Sequence, residues 1–217
     1  MTAGPFPDKK KKGENKSMMG VTHVWVGTMA AVLLTEPASP QGCLAALIGG
    51  SLGGIVPDID LGSGNRLTDI SRSRRITGAI TLVCLLVDSY FGGKLMTSFR
   101  SNSREELAAG LFGLMLLCLW GWNQSHRGGT HSLLALVLFG GCVELLCSPL
   151  TKPFVIAMAS HILLDVLNCS SVQLFYPLRG RWSLRLCKAG GRVDHYLRLI
   201  GIIGTVLGIG ISLDTFR

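Results

Sequence analysis

Histidine and aspartate, which together commonly hold divalent metal ions, gather at four places in this 217-residue chain. Four of its five histidines lie there. The four groups are Thr22-His23, Pro57-Asp58-Ile59-Asp60, the block His126-Arg127-Gly128-Gly129-Thr130-His131-Ser132, and the stretch from His161 to Asp165. Each group stands at an end of an apolar segment or inside one. Because ionisable groups against a membrane segment are costly, these groups predict a functional site.

The spacing within each group suits a metal. His161 and Asp165 are four residues apart, so a helix places both side chains on one face, one turn apart. Asp58 and Asp60 are two apart and can point the same way in a turn or extended chain, so either both carboxylates bind a metal or one binds it while the other accepts a proton. The plainer alternatives are a buried His–Asp hydrogen bond between helices and a solvated turn. His23 alone is ambiguous.

The block from His126 to Ser132 is the most specific motif. Its two histidines are five apart and do not share a helix face, but Gly128-Gly129 breaks the helix and allows both rings to turn inward. We expect Gly129 or Thr130 to cap the helix that follows. The helix N-terminus and Arg127 would then present positive charge to a phosphate or another oxyanion.

The elements that carry these groups are apolar, and charged residues make up only 16% of the chain. This composition predicts an all-α, polytopic transmembrane bundle of six to seven segments with short loops. The expected segments are 18–34, 41–56, 76–95, 107–122, 131–147, 153–169 and 196–213. The first two segments are short, so they either span a thin region or form a re-entrant hairpin. Residues 1–20 read as a basic cytoplasmic tail, and residues 21–217 as one membrane-embedded domain.

The net charge of +8 comes from clustered lysines and arginines. If the tail is cytoplasmic and every segment crosses, most of the 21 basic residues fall on the cytoplasmic side, as the positive-inside rule requires. The same topology puts all candidate ligands on that side, near the head groups. Membrane lipids are therefore the expected partners, and nucleic acid is disfavoured. The basic residues expected to contact lipid phosphates are Arg66, Arg72, Arg74 and Arg75, and an interfacial segment is expected around Tyr176, Arg179, Arg181, Trp182 and Arg185.

The remaining motifs narrow the function. The seven cysteines include no Cys-x-x-Cys pair and mostly lie in apolar runs, which indicates reduced, buried thiols rather than disulfides or a thiolate metal site. No phosphate-binding Gly-rich loop, Gly-x-Ser-x-Gly elbow or His-Glu-x-x-His motif is found. An NTPase, an α/β-hydrolase serine enzyme and a zincin peptidase are therefore disfavoured.

The order of the four motifs over about residues 20–180 resembles the YdjM family. That family is described as inner-membrane-associated, metal-dependent hydrolases, and also as LexA-binding-like. The resemblance implies a multi-pass inner-membrane protein whose His and Asp motifs serve metal-dependent hydrolysis. Family members commonly carry histidine after the Asp-x-Asp, where this chain has Leu61. Asp194 or His195 is a candidate replacement for that group.

The pattern as a whole predicts a hydrolase that acts on a phosphoester at the cytoplasmic membrane face, with a lipid-linked phosphoester as the leading candidate. The expected metal ligands are His23, Asp58, Asp60, His126, His131, His161 and Asp165, with Asp58, Asp60 and Arg127 in catalysis. Seven candidates suggest one or two divalent ions, zinc first and manganese or another transition metal next. The alternatives are a divalent-cation transporter or channel and a non-catalytic scaffold in which a metal joins helices.

Overall fold

The computed structural model describes residues 19–60, 67–186 and 191–214. Helices make up almost all the regular structure of these residues, so the all-α prediction is confirmed. The helices are α1 (Gly20–Thr35), α2 (Pro40–Gly53), α3 (Leu67–Tyr90), α4 (Lys94–Ser101), α5 (Arg104–Trp122), α6 (Leu133–Leu167) and α7 (Arg192–Asp214), with 3₁₀ helices at Val56–Asp60 and Gly129–His131. Residues 1–18 of the predicted basic tail lie outside the described residues, and so do Leu61 and Arg66.

Helix α6 folds back on itself. The backbone at Cys147 is extended (φ −162°, ψ 88°), and Pro149 and Pro153 follow, where a ring replaces the N–H that a continuous helix needs. A straight helix of its 35 residues would separate the ends by about 52 Å. Instead, His131 just before its start lies 3.1 Å from Asp165 near its end. The two arms are therefore antiparallel, and the sequence predicts them as two separate segments.

Glycines allow α2 to pack tightly between α1 and α6. A Cβ atom at Gly50 would lie 2.8 Å from the Cα of Thr28, and one at Gly49 would lie 2.8 Å from the carbonyl oxygen of Leu150. Real side chains do not approach so closely, so these positions require glycine. Close backbone packing takes the place of hydrophobic drive between helices in lipid. This packing brings the C-terminal end of α2 against α1 and α6, where the site lies.

The remaining helices surround this centre. α7 packs on α1 through Gly201 and Gly208, while α3 packs on α2. The short helix α4 lies at the end of the bundle near the α6 bend, and the buried Asp88 carboxylate accepts hydrogen bonds from the backbone of Leu95 (3.1 Å) and Met96 (3.2 Å). Asp88 therefore caps a helix and has no part in the His–Asp groups.

Four helical stretches of the described residues are long and apolar enough to cross a membrane. They are Pro40–Asp60, Arg104–Trp122, Leu133–Leu167 and Arg192–Asp214. Helix α1 is apolar but has only 16 residues, which is short of the ~20 that a straight span needs. The chain is thus a helical membrane protein, but the predicted number of six to seven transmembrane segments is not confirmed.

Candidate metal centre

The four sequence groups meet at one end of the bundle. His23 lies in the first turn of α1, and its ring stacks on that of His161 from the second arm of α6, with ring centroids 3.8 Å apart and planes 18° apart. Both rings are buried. The seven predicted ligands come from α1, both 3₁₀ helices, the α5–α6 turn and α6, so the fold brings together residues that are far apart in sequence. The predicted convergence of these groups is therefore found in the structure.

Asp60 organises the turn between α5 and α6. Its carboxylate accepts hydrogen bonds from the backbone N–H of Arg127 (3.0 Å) and the hydroxyl of Thr130 (2.9 Å), and it lies 3.0 Å from Nδ1 of His126. Its side chain is fully buried. The carboxylate therefore fixes the turn and the His126 ring through several contacts at once. Such a carboxylate commonly orients a metal-binding histidine.

The turn itself differs from the predicted one in its helix cap. Gly129, Thr130 and His131 form a separate 3₁₀ helix, and Ser132 is the N-cap of α6, since its hydroxyl accepts a hydrogen bond from the backbone N–H of Ala135 (3.1 Å). The expectation that Gly129 or Thr130 caps α6 is therefore wrong. Ser132 is the N-cap because its short side chain reaches the free N–H of the third helical residue.

His161 is held in the tautomer that a metal ligand needs. Its Nδ1 atom lies 2.8 Å from the carbonyl oxygen of Gly54, which can only accept, so Nδ1 carries the proton. Its Nε2 atom then has a free lone pair, and it lies 3.7 Å from one oxygen of Asp58 and 3.7 Å from one oxygen of Asp165. A backbone carbonyl in this role fixes both the ring orientation and its basicity.

His131 completes the centre from the opposite side. Its Nε2 atom lies 3.1 Å from Asp165 Oδ2 and 3.8 Å from Asp58 Oδ1. Burial lowers the pKa of His131, but the nearby carboxylates of Asp165 and Asp60 outweigh that effect and raise the pKa to about 10. The carboxylates thus attract positive charge at this position, which a proton or a metal ion can supply.

The spacing of these atoms fits a metal ion. Ligands about 2.0–2.2 Å from a tetrahedral ion lie roughly 3.3–3.6 Å from one another. The Nε2 atoms of His131 and His161 are 3.1–3.8 Å from oxygens of Asp58 and Asp165. Both Nε2 atoms are buried; that of His161 makes no hydrogen bond, whereas that of His131 lies 3.1 Å from Asp165 Oδ2. Buried polar atoms rarely stay unpaired, so the His161 nitrogen has the character of a metal ligand.

Three overlapping sets of ligand atoms are close enough to hold an ion. Within each set, all the ligand atoms lie within 4.8 Å of one another. The sets are His23, His161 and Asp165; Asp58, His131 and His161; and Asp58, Asp60 and His126. Asp58 and His161 each belong to two sets. Together the sets contain every one of the seven predicted ligands.

Arg127 has a different position from the one expected. Its backbone is left-handed (φ 62°), and its guanidinium donates to Asp165 (2.6 Å) and to the carbonyl of Ser170 (3.2 Å). The side chain is buried. The guanidinium is therefore directed at a ligand carboxylate, whereas the sequence predicts that it faces a substrate oxygen. Its pairing offsets one of the negative charges that the fold buries here.

Access to the centre is through His126. The His126 side chain is 26% exposed and that of Asp58 is 9% exposed, whereas the side chains of His23, His131, His161 and Asp165 are at most 2% exposed. His126 and Asp58 are therefore the outer members of the centre, whereas Asp60 is fully buried beside them. The inner ligands are shielded by α1, α2 and α6.

One protein-family model matches residues 18–210, and the family is described as the YdjM inner membrane protein. The chain belongs to the YdjM family. The match includes every residue of the metal centre, and an inner membrane location agrees with the apolar helices of the chain. Comparisons with curated proteins and with solved structures gave no significant match.

Two carboxylates near the centre of this YdjM-family chain have another role. Asp194 accepts a hydrogen bond from the backbone N–H of Met19 (3.2 Å), and Asp69 accepts one from Gly20 (2.7 Å). Both therefore hold the start of α1, which carries His23. His195 lies beside Arg198 on the exposed side of α7, with 3.2 Å between nitrogens. Neither Asp194 nor His195 belongs to the three ligand sets.

The sequence reasoning missed the supporting groups. Thr130 and the carbonyl of Gly54 bind the ligand side chains, while Asp69 holds α1. Thr130 lies inside the recognised block, so a role for its hydroxyl was visible in principle. A backbone carbonyl carries no residue-type signal, and the contact of Asp69 with α1 depends on how α3 packs.

Proposed function

We propose that this YdjM-family chain is a membrane-embedded, metal-dependent hydrolase that acts on a phosphoester at the end of the bundle where the His–Asp centre lies. The observation that carries the proposal is the approach of two buried Nε2 atoms, from His131 and His161, to Asp58 and Asp165, where that of His161 makes no hydrogen bond. Three carboxylates and one guanidinium share this buried space, so an added cation would stabilise it.

The ligand assignment follows from the three overlapping sets. Asp58, His131, His161 and Asp165 would hold an inner ion, and His23, which belongs to one set with His161 and Asp165, is a further candidate ligand. A second ion would be held by Asp58, Asp60 and His126. Nitrogen and oxygen ligands in this number favour zinc, then manganese or another transition metal. A divalent ion here supplies Lewis-acid chemistry, which activates water and polarises a phosphoryl oxygen.

The chain's own residues divide the remaining work. Asp58 is the more exposed carboxylate and is positioned to accept a proton from an attacking water. Asp60 orients His126 and fixes the turn, because its oxygens are already engaged by hydrogen bonds. Arg127 holds Asp165 in place and is a positioning residue. In this proposal Arg127 does not contact the substrate, whereas the sequence predicts that it does.

Charge around the centre favours an anionic substrate. The exposed arginines near the start of α3, Arg72, Arg74 and Arg75, belong to the end of the helix whose Asp69 binds Gly20. We propose a phosphate group as the recognised feature and a lipid-linked phosphoester as the first class to test. The proposal includes a cytoplasmic N-terminus and a cytoplasmic location of the centre, as the positive-inside rule predicts.

The test combines metal analysis with activity. Purified protein, loaded separately with zinc and manganese, is assayed on phospholipids and generic phosphodiesters, beside a His131→Ala, Asp165→Ala double variant. We expect metal-dependent turnover that the double variant lacks. Full activity in the double variant would rule out this centre. Metal content of the double variant, measured in parallel, separates loss of the ion from loss of chemistry.

A scaffold is the second candidate, and the burial of four ligands favours it. An ion enclosed by His23, His131, His161 and Asp165 could join α1 and α6 without reacting. Spectroscopy of the cobalt-substituted protein distinguishes the two, because a catalytic ion keeps an open position that an added anion occupies. A cation transporter has less support. A transport pathway would need carboxylates in the halves of the segments away from the centre. The acidic residues that the sequence offers there are Asp88, which caps α4, and Glu144, which is exposed.

A further inference from the structure

The described residues that follow α6 directly form an irregular cover beside the candidate metal centre. We call residues 168–186 the cap segment. An isolated antiparallel bridge joins Val172 to Trp182, and the backbone N–H of Leu184 donates to the carbonyl of Val166 (2.8 Å) in α6. These bonds give the segment a defined shape, although it contains no helix. It is therefore an ordered surface element.

The cap segment is bonded directly to the turn that carries His126. The backbone N–H of Gln173 donates to the carbonyl of Arg127 (3.1 Å), and Arg127 Nη1 donates to the carbonyl of Ser170 (3.2 Å). The guanidinium of Arg181 donates to the carbonyls of His126 (3.3 Å) and Ser171 (3.2 Å). The cap segment and the metal-binding turn thus form one hydrogen-bonded unit.

The outer face of the cap segment is apolar. Leu178 is 69% exposed, Leu186 is 72% exposed and Leu184 is 59% exposed. Trp182 is 55% exposed, and its ring packs edge-on against that of Phe175 at 5.8 Å. So many exposed large apolar side chains in one short segment are unusual in contact with water and mark a docking surface.

The cap segment is also cationic. Arg179 and Arg185 are exposed, and Arg181 beside them is fixed by its bonds to the turn. No acidic residue occurs between positions 168 and 186. A surface that combines exposed aromatic rings, leucines and arginines matches the boundary of a membrane with anionic head groups.

We propose that the cap segment is a binding surface for anionic phospholipids, which seats the metal centre against the head groups of one leaflet. Its irregular backbone does not suit the hydrocarbon core, where helices satisfy every N–H and carbonyl. Its exposed leucines and tryptophan do not suit bulk water. The head-group region accommodates both, and the arginines select negative lipids. The inference goes beyond the proposed hydrolysis and holds whether or not the centre is catalytic.

The test uses the fluorescence of Trp182 in the full chain. Protein is placed in lipid nanodiscs of phosphatidylcholine with increasing phosphatidylglycerol, and emission from Trp182 is obtained by subtracting that of a Trp182→Phe variant. Phospholipids brominated near the head group or deep in the acyl chain quench according to depth. We expect quenching mainly from the shallow bromines, increasing with the phosphatidylglycerol fraction and decreasing at high salt.

Matched variants test the charge. Replacing Arg179 and Arg185 together by alanine is expected to weaken the response to phosphatidylglycerol roughly 30-fold. Replacing Lys94 and Lys152 by alanine removes two cations beside the α6 bend, at the opposite end of the bundle, and should leave the response unchanged. If the emission of Trp182 changes neither with brominated lipids nor with phosphatidylglycerol, the proposal is overturned. The surface would then belong to a contact with a soluble protein or with a second copy of the chain. Equal effects of the two double variants overturn it as well.

Discussion

His161 donates a hydrogen bond through Nδ1 to the carbonyl oxygen of Gly54 over 2.8 Å, which leaves Nε2 directed at two carboxylates. The carbonyl is free to accept because α2 ends at Gly53 and the chain then enters a 3₁₀ helix. A helix end thus sets the tautomer of a ligand on another helix. This relationship makes the metal centre dependent on the close packing of α2 and α6.

Removal of the His161 ring should remove the metal. We expect His161→Ala to lower metal affinity by more than roughly 100-fold, because even residues that only orient ligands contribute about 10–100-fold. The measurement is metal content after dialysis, with competition by a chromophoric chelator. His195→Ala is the matched control, since His195 is exposed on α7 and outside the ligand sets. Equal metal content in the two variants would contradict the assignment.

Asp60 should affect the centre mainly through the turn. In Asp60→Asn one carboxylate oxygen becomes an NH₂ group, so the bonds from Arg127 N–H, Thr130 and His126 can no longer all form. We expect a loss of about 10–100-fold in metal affinity and faster amide hydrogen exchange over residues 124–132. Unchanged exchange together with lost metal would show that Asp60 acts only as a direct ligand and not through the turn.

Arg127→Ala should destabilise the metal-free protein more than the metal-loaded one. The substitution leaves Asp165 buried without its 2.6 Å partner, which costs about 3–5 kcal/mol when no other cation compensates. Thermal unfolding in detergent, with and without added zinc, measures the difference. Arg179→Ala, which removes an exposed arginine, serves as the control. A loss of stability that zinc does not reduce would show that Arg127 acts through packing alone.

Replacing glycine by alanine should lower stability at a tight helix contact but not on an open helix face. Gly49→Ala places a methyl group 2.8 Å from the Leu150 carbonyl, so we expect a loss of roughly 1–3 kcal/mol in stability. Gly141→Ala meets no atom within 4 Å and should be neutral or up to about 1 kcal/mol stabilising, because alanine favours helix. Unfolding by heat or denaturant compares the two. Similar effects would argue against the described packing of α2 on α6.

The sequence alone predicts those features that depend only on which residue types are present. Histidines and aspartates are costly in apolar surroundings, so their positions marked the centre before any fold was known. The break between 147 and 153 was also visible, since Pro149 and Pro153 interrupt the helix that the apolar pattern would otherwise extend. The cap of α6 was misplaced, because Gly129, Thr130 and Ser132 all have favourable capping chemistry and only the path of the turn selects one.

By itself, the sequence determined the class of the protein and pointed to the side chains of the candidate metal centre, because hydropathy and the cost of buried charge are local properties. Only the tertiary structure decided which ligand faces which. The pairing of Arg127 with Asp165, the three bonds to Asp60 and the orientation of His161 depend on contacts between segments 38 to 107 residues apart. Such distances are fixed by helix packing, which residue types alone do not encode.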